Sequence, residues 1–185
     1  NTTLELQACT AHKVVHQRGN WREFINTRLK SVVDHHRNKN LNTAWLDKLA
    51  AFIAQFDKNE FIGTKEVFLH ADLTWDHFLV NQQNGKPKVT GVIDLADCRV
   101  GHPEYDLPAT AAFIFKSEPD ALRNYLLGLG YSTSQLNMRL SEKLMAWTCL
   151  HLFSDLNNYF RAEMLSLTPG DFSSLAHAVY SFEAK

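Results

Sequence analysis

The sequence lacks an excess of charge of either sign. Nineteen Lys and Arg stand against twenty Asp and Glu, a formal net charge of −1. A surface so balanced does not attract nucleic acid electrostatically, so no nucleic-acid partner is expected. Long apolar runs are missing too; none approaches the roughly 20 residues of a membrane span, so no membrane partner is expected. Cysteine is scarce. Cys9, Cys98 and Cys149 are odd in number and far apart, without metal-ligand spacing, and read as reduced thiols of a cytoplasmic protein. Eight glycines and five prolines are dispersed, which excludes a repeat, a low-complexity tract or a linker, and residues 1–185 are expected to form a single domain. What is present is 45% hydrophobic and 11% aromatic residues, enough for a sizeable core. The chain begins with Asn1, not Met, and no signal-peptide pattern follows, so the expectation is a part of a longer polypeptide.

Apolar residues recur at helical spacing from Trp21 to Val33, and more cleanly from Trp45 to Phe56, with a polar loop predicted at His35 to Asn42. The pattern changes at Val67. Two short apolar runs, Val67–Leu69 and Phe78–Val80, precede a β-branched stretch at Lys88 to Asp94, and Asn84-Gly85 is a turn signal, so Phe78 to Asp94 predicts a hairpin. After Pro108 the pattern is helical again. Ala121 to Leu129 stops at Gly130, Leu144 to Phe160 predicts one buried helix, and Leu175 to Phe182 a last short one. Helices, a small hairpin with its loops, then helices predict an α+β fold, mostly helical.

The chemistry concentrates in Val67 to Leu107. His70-Ala71-Asp72 and His77 precede the hairpin, and Asp94 and Asp97 follow it, each at the end of an apolar strand. Strand ends fix side chains while their loops open to solvent. Phosphoryl transfer needs one carboxylate to take the acceptor's proton and others to hold metal on the phosphates. Protein kinases use H-R-D-x-x-x-x-N followed by an Asp on the next hairpin. His70, Asp72 and His77 have that spacing, with His for Asn, and Asp94 stands at the later Asp. A metal-dependent hydrolase using His70, Asp72, Asp76, His77 and Asp94 is a further reading. His35-His36 reads as a solvated helix end, and His151 as a satisfied core histidine. Trp75 either contacts an acceptor or covers the loop; Asp155 and Asn158 face a cleft or serve as caps. Phe52, Phe56, Phe113 and Phe115 read as core.

The run FLHADLTWDHFLV…GVIDLADCRVGHPEYDLPA resembles the paired motifs of the aminoglycoside phosphotransferase and choline kinase group of kinase-like enzymes, usually H-G-D-x-x-x-x-N and I-D-[WF]-x-x-[AC]-x-x-G-D-P-x-[YF]-D-L-A. The resemblance is sharp in Val67 to Ala109 and looser elsewhere. It implies a kinase-like large (C-terminal) lobe whose hairpin carries the catalytic and metal-binding loops. It implies Asp72 as catalytic base, His77 and Asp94 as metal-side residues, His70 and Asp106 as loop-structuring residues, and Asp97 in the vicinity of metal or substrate. The implied activity is an ATP-dependent phosphotransfer, with Mg²⁺ or Mn²⁺, to a hydroxyl of a small molecule. Two positions depart from the pattern, His77 for Asn and His102 for Asp, and macrolide-modifying relatives resemble this chain at the first. No Gly-rich phosphate loop and no V-A-I-K-like strand are found, so the nucleotide-clamping amino-terminal lobe is expected to be absent from this chain. The fragment is accordingly expected to be inactive alone and to expose an apolar patch where that lobe docks. A non-catalytic kinase-like binding module is the alternative.

Overall fold

The computed structural model describes residues 19–63, 65–115 and 118–182. Three helices open the described chain: α1 (Trp21–Asn38), α2 (Thr43–Ile53) and α3 (Lys58–Ile62). Asn20 and Asn42 cap the first two, accepting from the backbone N–H of Arg22 (2.8 Å) and Ala44 (2.9 Å). Asp57 and Glu60 form a reciprocal capping box on the third.

The strands β1 (Val67–Leu69), β2 (Phe78–Gln83), β3 (Lys86–Val92) and β4 (Arg99–Gly101) form two antiparallel pairs, β1 with β4 and β2 with β3. Asn84 and Gly85 both have positive φ, as a two-residue hairpin turn of matching twist requires. Because β4 returns to pair with β1 in the register Val67↔Gly101, the loops at 70–77 and 93–98 lie side by side between the two pairs. Gly101 must be glycine: an added Cβ would stand 2.3 Å from the Trp21 ring.

After a short turn (Pro103–Asp106) come α4 (Leu107–Ala109), a π-helical segment (Thr110–Phe115), α5 (Pro119–Gly128), α6 (Met138–Leu150), α7 (Leu156–Tyr159), α8 (Arg161–Leu165) and α9 (Phe172–Val179). The architecture is α+β and mostly helical. Helix α6 is the centre of the core, with Leu144, Met145, Trp147, Cys149 and Leu150 fully buried. Each large apolar side chain so buried stabilises the fold by about 1.5–3 kcal/mol. Cys98 and Cys149 are buried; Cys9 lies outside the described residues.

Three expectations need correction. Residues 144–160 do not form one helix: α6 ends at Leu150, and an extended His151 starts a loop before α7. The cause is long-range. Arg28 donates to the carbonyls of Leu150 (2.8 Å) and His151 (3.0 Å), His36 to Cys149 (3.0 Å) and His35 to Ser154 (2.8 Å). These donors from α1 satisfy carbonyls that a helix end leaves unpaired, and Arg28 places a positive charge against the negative end of the helix dipole. For the same reason His35 and His36 are not a solvated end. Helix α1 continues through them, and His36 is buried. Finally, Phe113 is only partly buried, unlike Phe52 and Phe56, whereas the partly buried Phe115 does pack against the core.

A buried carboxylate fixes the turn ahead of α4. Glu104 accepts from Lys143 (2.8 Å), the Trp147 indole (3.0 Å) and the Tyr131 hydroxyl (3.0 Å). Burial alone would raise its pKa, but the Lys143 ammonium and the Trp147 N–H hold it below the ordinary carboxylate value. Nothing local in the sequence marks this cluster, because its members lie up to 43 residues apart.

Candidate active site

The loop after β1 is built around one carboxylate. Asp106 accepts from the backbone N–H groups of His70 (2.9 Å) and Ala71 (2.8 Å). Ala71 has φ of +66°, a conformation that costs a non-glycine residue about 1–2 kcal/mol. The two hydrogen bonds that Asp106 accepts hold it there. Burial pushes the Asp106 pKa up, and the two N–H donors oppose that shift.

Side-chain hydrogen bonds then join the two loops. The His70 Nε2–H donates to the Ile93 carbonyl (2.8 Å), and the Ile93 N–H donates to the His77 carbonyl (2.9 Å). His70 and His77 stack with ring centroids 5.2 Å apart. His77 donates from Nδ1 to the Asp72 carbonyl at 2.8 Å. Its Nε2 lies 3.7 Å from Asp94 Oδ2. Asp94 is a second strained position, with φ of +60°, two residues after the end of β3.

The structure therefore brings Asp72, His77 and Asp94 together, with His70 and Asp106 beneath them. Burial raises the Asp72 pKa; the His77 charge opposes this, and the Asp97 charge adds to it. Asp97 is accordingly within electrostatic reach of Asp72. Trp75 is 69% exposed and does not cover the loop. Asp155 caps α7, accepting from the Asn158 N–H at 3.2 Å, and lines a separate open cleft of about 620 Å³ that includes none of Asp72, His77 and Asp94. The hydrolase reading fares poorly: among the described residues no group of three or more His, Cys, Asp or Glu side chains is placed to hold a metal.

Sequence reasoning missed the wall of the site beside Asp72. A narrow cavity runs from Asp72 past the π-helical segment to the loop after α6, with Phe113, Phe153, Tyr159, His151 and Ser154 among its lining. His151 is buried, and its Nδ1 accepts from the Phe153 N–H at 3.3 Å. The signal available in the sequence was the polar pair His151 and Ser154 interrupting an otherwise apolar stretch.

No helix among the described residues is long and apolar enough to cross a membrane. No curated protein and no solved structure gives a match to the chain. A family model does match, over residues 4–139, and it spans both loops, the hairpin between them and the helices on either side. The chain belongs to the phosphotransferase enzyme family.

Proposed function

We propose that the protein transfers the γ-phosphoryl group of ATP to a hydroxyl of a small molecule, with Asp72 taking the acceptor's proton. The observation that carries this is the hydrogen bond from His77 to the Asp72 carbonyl, which joins the base and the metal side in one loop. A raised pKa makes Asp72 a better proton acceptor than an ordinary carboxylate.

His77 Nε2 and the Asp94 carboxylate fit a divalent cation shared with the nucleotide. One nitrogen and one carboxylate make too few ligands for a protein-only cage, which suits a cation that takes further ligands from phosphates and water. Mg²⁺ or Mn²⁺, when bound, neutralises charge on the phosphates. Asp94 presents its carboxylate, His77 its Nε2, and His70 keeps the two loops in register. Asp97 raises the basicity of Asp72, and Trp75 stands exposed at the rim.

Strand β1 leaves Phe68 exposed, and the hairpin with the residue after it leaves Leu79, Val80, Val89, Val92 and Ile93 exposed. A nucleotide-clamping lobe outside these 185 residues would cover that face and supply the glycine-rich strands that the sequence lacks. The 185-residue chain alone then has no measurable transfer.

Asp72→Asn in the full-length protein tests the reading. Transfer is expected to fall about 10²–10⁴-fold, the usual contribution of a general base, with the unfolding midpoint and nucleotide affinity nearly unchanged. Parental turnover in that variant rejects Asp72 as base. Nucleotide binding without transfer in the parent would favour a binding module.

A further inference from the structure

Glu104 and Asp106 stand two residues apart in the turn Pro103–Asp106. Asp106 accepts from the His70 and Ala71 N–H groups and so sets the loop that carries Asp72. Glu104 is buried and is bound instead by α6. Lys143 and Trp147 lie one helical turn apart, so both reach it from one face of that helix, Lys143 Nζ at 2.8 Å and Trp147 Nε1 at 3.0 Å. The Tyr131 hydroxyl donates to the other carboxylate oxygen at 3.0 Å. Between the two acids, the Tyr105 hydroxyl accepts from the Leu152 N–H at 3.0 Å, and its ring meets Trp147 edge to face at 5.9 Å. The turn is thus gripped at Glu104 and Tyr105 by α6 and the loop after it, and delivers that grip to Asp106.

Glu104 meets a single counter-charge, Lys143. His102 Nδ1 is 3.9 Å from the same carboxylate, but that nitrogen accepts from the Glu104 N–H at 3.2 Å and therefore carries no proton. Burial lowers the His102 pKa, with Glu104 opposing, which favours the same neutral form. The imidazole is an uncharged cap on the turn. It is seated against the Trp147 ring, centroids 5.3 Å apart, and against Gly63, where an added Cβ would come within 2.4 Å of it. An aspartate at this position could cap the N–H equally well. It would also set a second carboxylate beside Glu104, with one ammonium group for two negative charges.

A buried ion pair adds little net stability over apolar side chains of the same volume, although losing one partner is costly. What charge-assisted hydrogen bonds add is fixed geometry. We propose that Lys143 is a positioning residue for phosphoryl transfer: through Glu104 it fixes the turn from which Asp106 holds the Asp72 loop, and His102 serves as a cap that leaves this ion pair undisturbed. The assignment rests on Asp72 being the base, and it adds to that site a control point on α6.

The test follows kinetics and the Asp72 carboxyl resonance in the full-length protein. Lys143→Met removes the charge and keeps most of the side-chain length. Its kcat is expected to fall about 10²-fold, the cost of misplacing a reacting group by about 1 Å, with KM for the nucleotide within about twofold of the parent. Adding Glu104→Gln leaves no unpaired charge and keeps an acceptor for Trp147 and Tyr131, so the double variant should recover about tenfold. Burial holds the Asp72 titration above the ordinary carboxylate range, and it should move down in Lys143→Met as the loop opens to water. Phe172→Leu is the control for stability alone. It loosens the contact of α9 with Trp45 and Phe52, so the unfolding midpoint should fall while kcat and the Asp72 titration stay in place. Where Lys143→Met does not fold, His102 carries the test. His102→Asp should lower kcat about tenfold, and His102→Asn, which accepts the same N–H without a charge, should regain most of that loss.

A kcat for Lys143→Met within about twofold of the parent overturns the proposal. So does an unmoved Asp72 titration in that variant, an equal loss of kcat in Phe172→Leu, or equal activity of His102→Asp and His102→Asn. Failure of the phosphotransferase reading is separate and shows as parental turnover in Asp72→Asn. The Asp72 titration in Lys143→Met reports the positioning whether or not Asp72 is the base.

Discussion

The two halves of the candidate site are built to different standards of burial. Asp72 sits on a loop whose backbone is bonded to buried Asp106, flanked by His151 and backed by α6. Asp94 ends a hairpin of which nearly every residue is exposed, and its own side chain is more than half exposed. A proton acceptor must hold its position and keep a tuned pKa, which a desolvated, hydrogen-bonded loop provides. A metal-side carboxylate must bind a hydrated cation and its phosphates, and an exposed strand end leaves room for both. Substitutions beneath Asp72 should therefore cost stability, and substitutions on the hairpin should not.

The strongest way to break the comparison is Asp106→Ala. It leaves the N–H groups of His70 and Ala71 buried without an acceptor and releases the strained Ala71. Two orphaned donors cost about 2–6 kcal/mol together. Chemical denaturation should show a loss within that range, with transfer falling further as the Asp72 loop loosens. Asp94→Ala on the exposed side should stay within about 0.5 kcal/mol of the parent. Equal losses in the two variants would remove the distinction between the halves.

A second, somewhat smaller effect comes from acid. His36 has its pKa pushed down from 6.5 to about 4, by burial above all, and His151 to about 3 for the same reason; His35 is lowered too. A histidine whose folded pKa is depressed adds stability that is complete above its unfolded value and is lost as pH falls toward the folded one. The loss therefore begins near pH 6.5 and continues down to about pH 4 for His36, on the order of 3 kcal/mol from this residue alone. Asp106 works in the opposite sense. Its pKa is raised, so its protonation favours the folded state, but only once the pH reaches the carboxylate range. Urea midpoints at pH 7 and pH 4.5 check the balance. A lower midpoint at pH 4.5 is expected, and His36→Gln should flatten the dependence. Equal midpoints would show that the α1–α6 junction does not depend on neutral imidazoles.

That junction also shows where the sequence is readable and where it is not. The hairpin was legible because Asn84-Gly85 and the alternating runs around it act over a few residues. The spacing of His70, Asp72, His77 and Asp94 was legible because chemistry ties residues to strand ends that are short and local. Helices α1 and α2 announce themselves by apolar periodicity, whereas the last helix begins at Phe172, three residues before the start expected at Leu175. The end of α6 was not legible. Leu144 to Phe160 has no helix breaker, and the chain stops being helical because Arg28, His35 and His36, more than 100 residues earlier, take its carbonyls. The β1–β4 pair was equally hidden, since three-residue strands carry almost no periodic signal. The cavity beside Asp72 depends on both hidden features, as its polar end lies in the loop that begins where α6 stops.

The smallest expected effect sharpens the comparison from the exposed side. Val80 and Val89 are paired across the hairpin and are both more than half exposed. Replacing each with Thr keeps the β-branched shape that strands favour and removes apolar surface that contributes little to the fold. The double variant should change unfolding free energy by no more than about 0.5 kcal/mol. Contiguous exposed apolar surface promotes association, so the parent chain should sediment above its monomer mass of 21.1 kDa at high micromolar concentration, and the variant should move toward it. A parent that is already monomeric would mean that the hairpin face needs no cover. A destabilisation above 1 kcal/mol would mean that these valines are packed in solution, contrary to their exposure. Either result would erase the difference between a core-backed base and a solvent-laid metal side, because the hairpin would then be as much a part of the stable fold as the Asp72 loop.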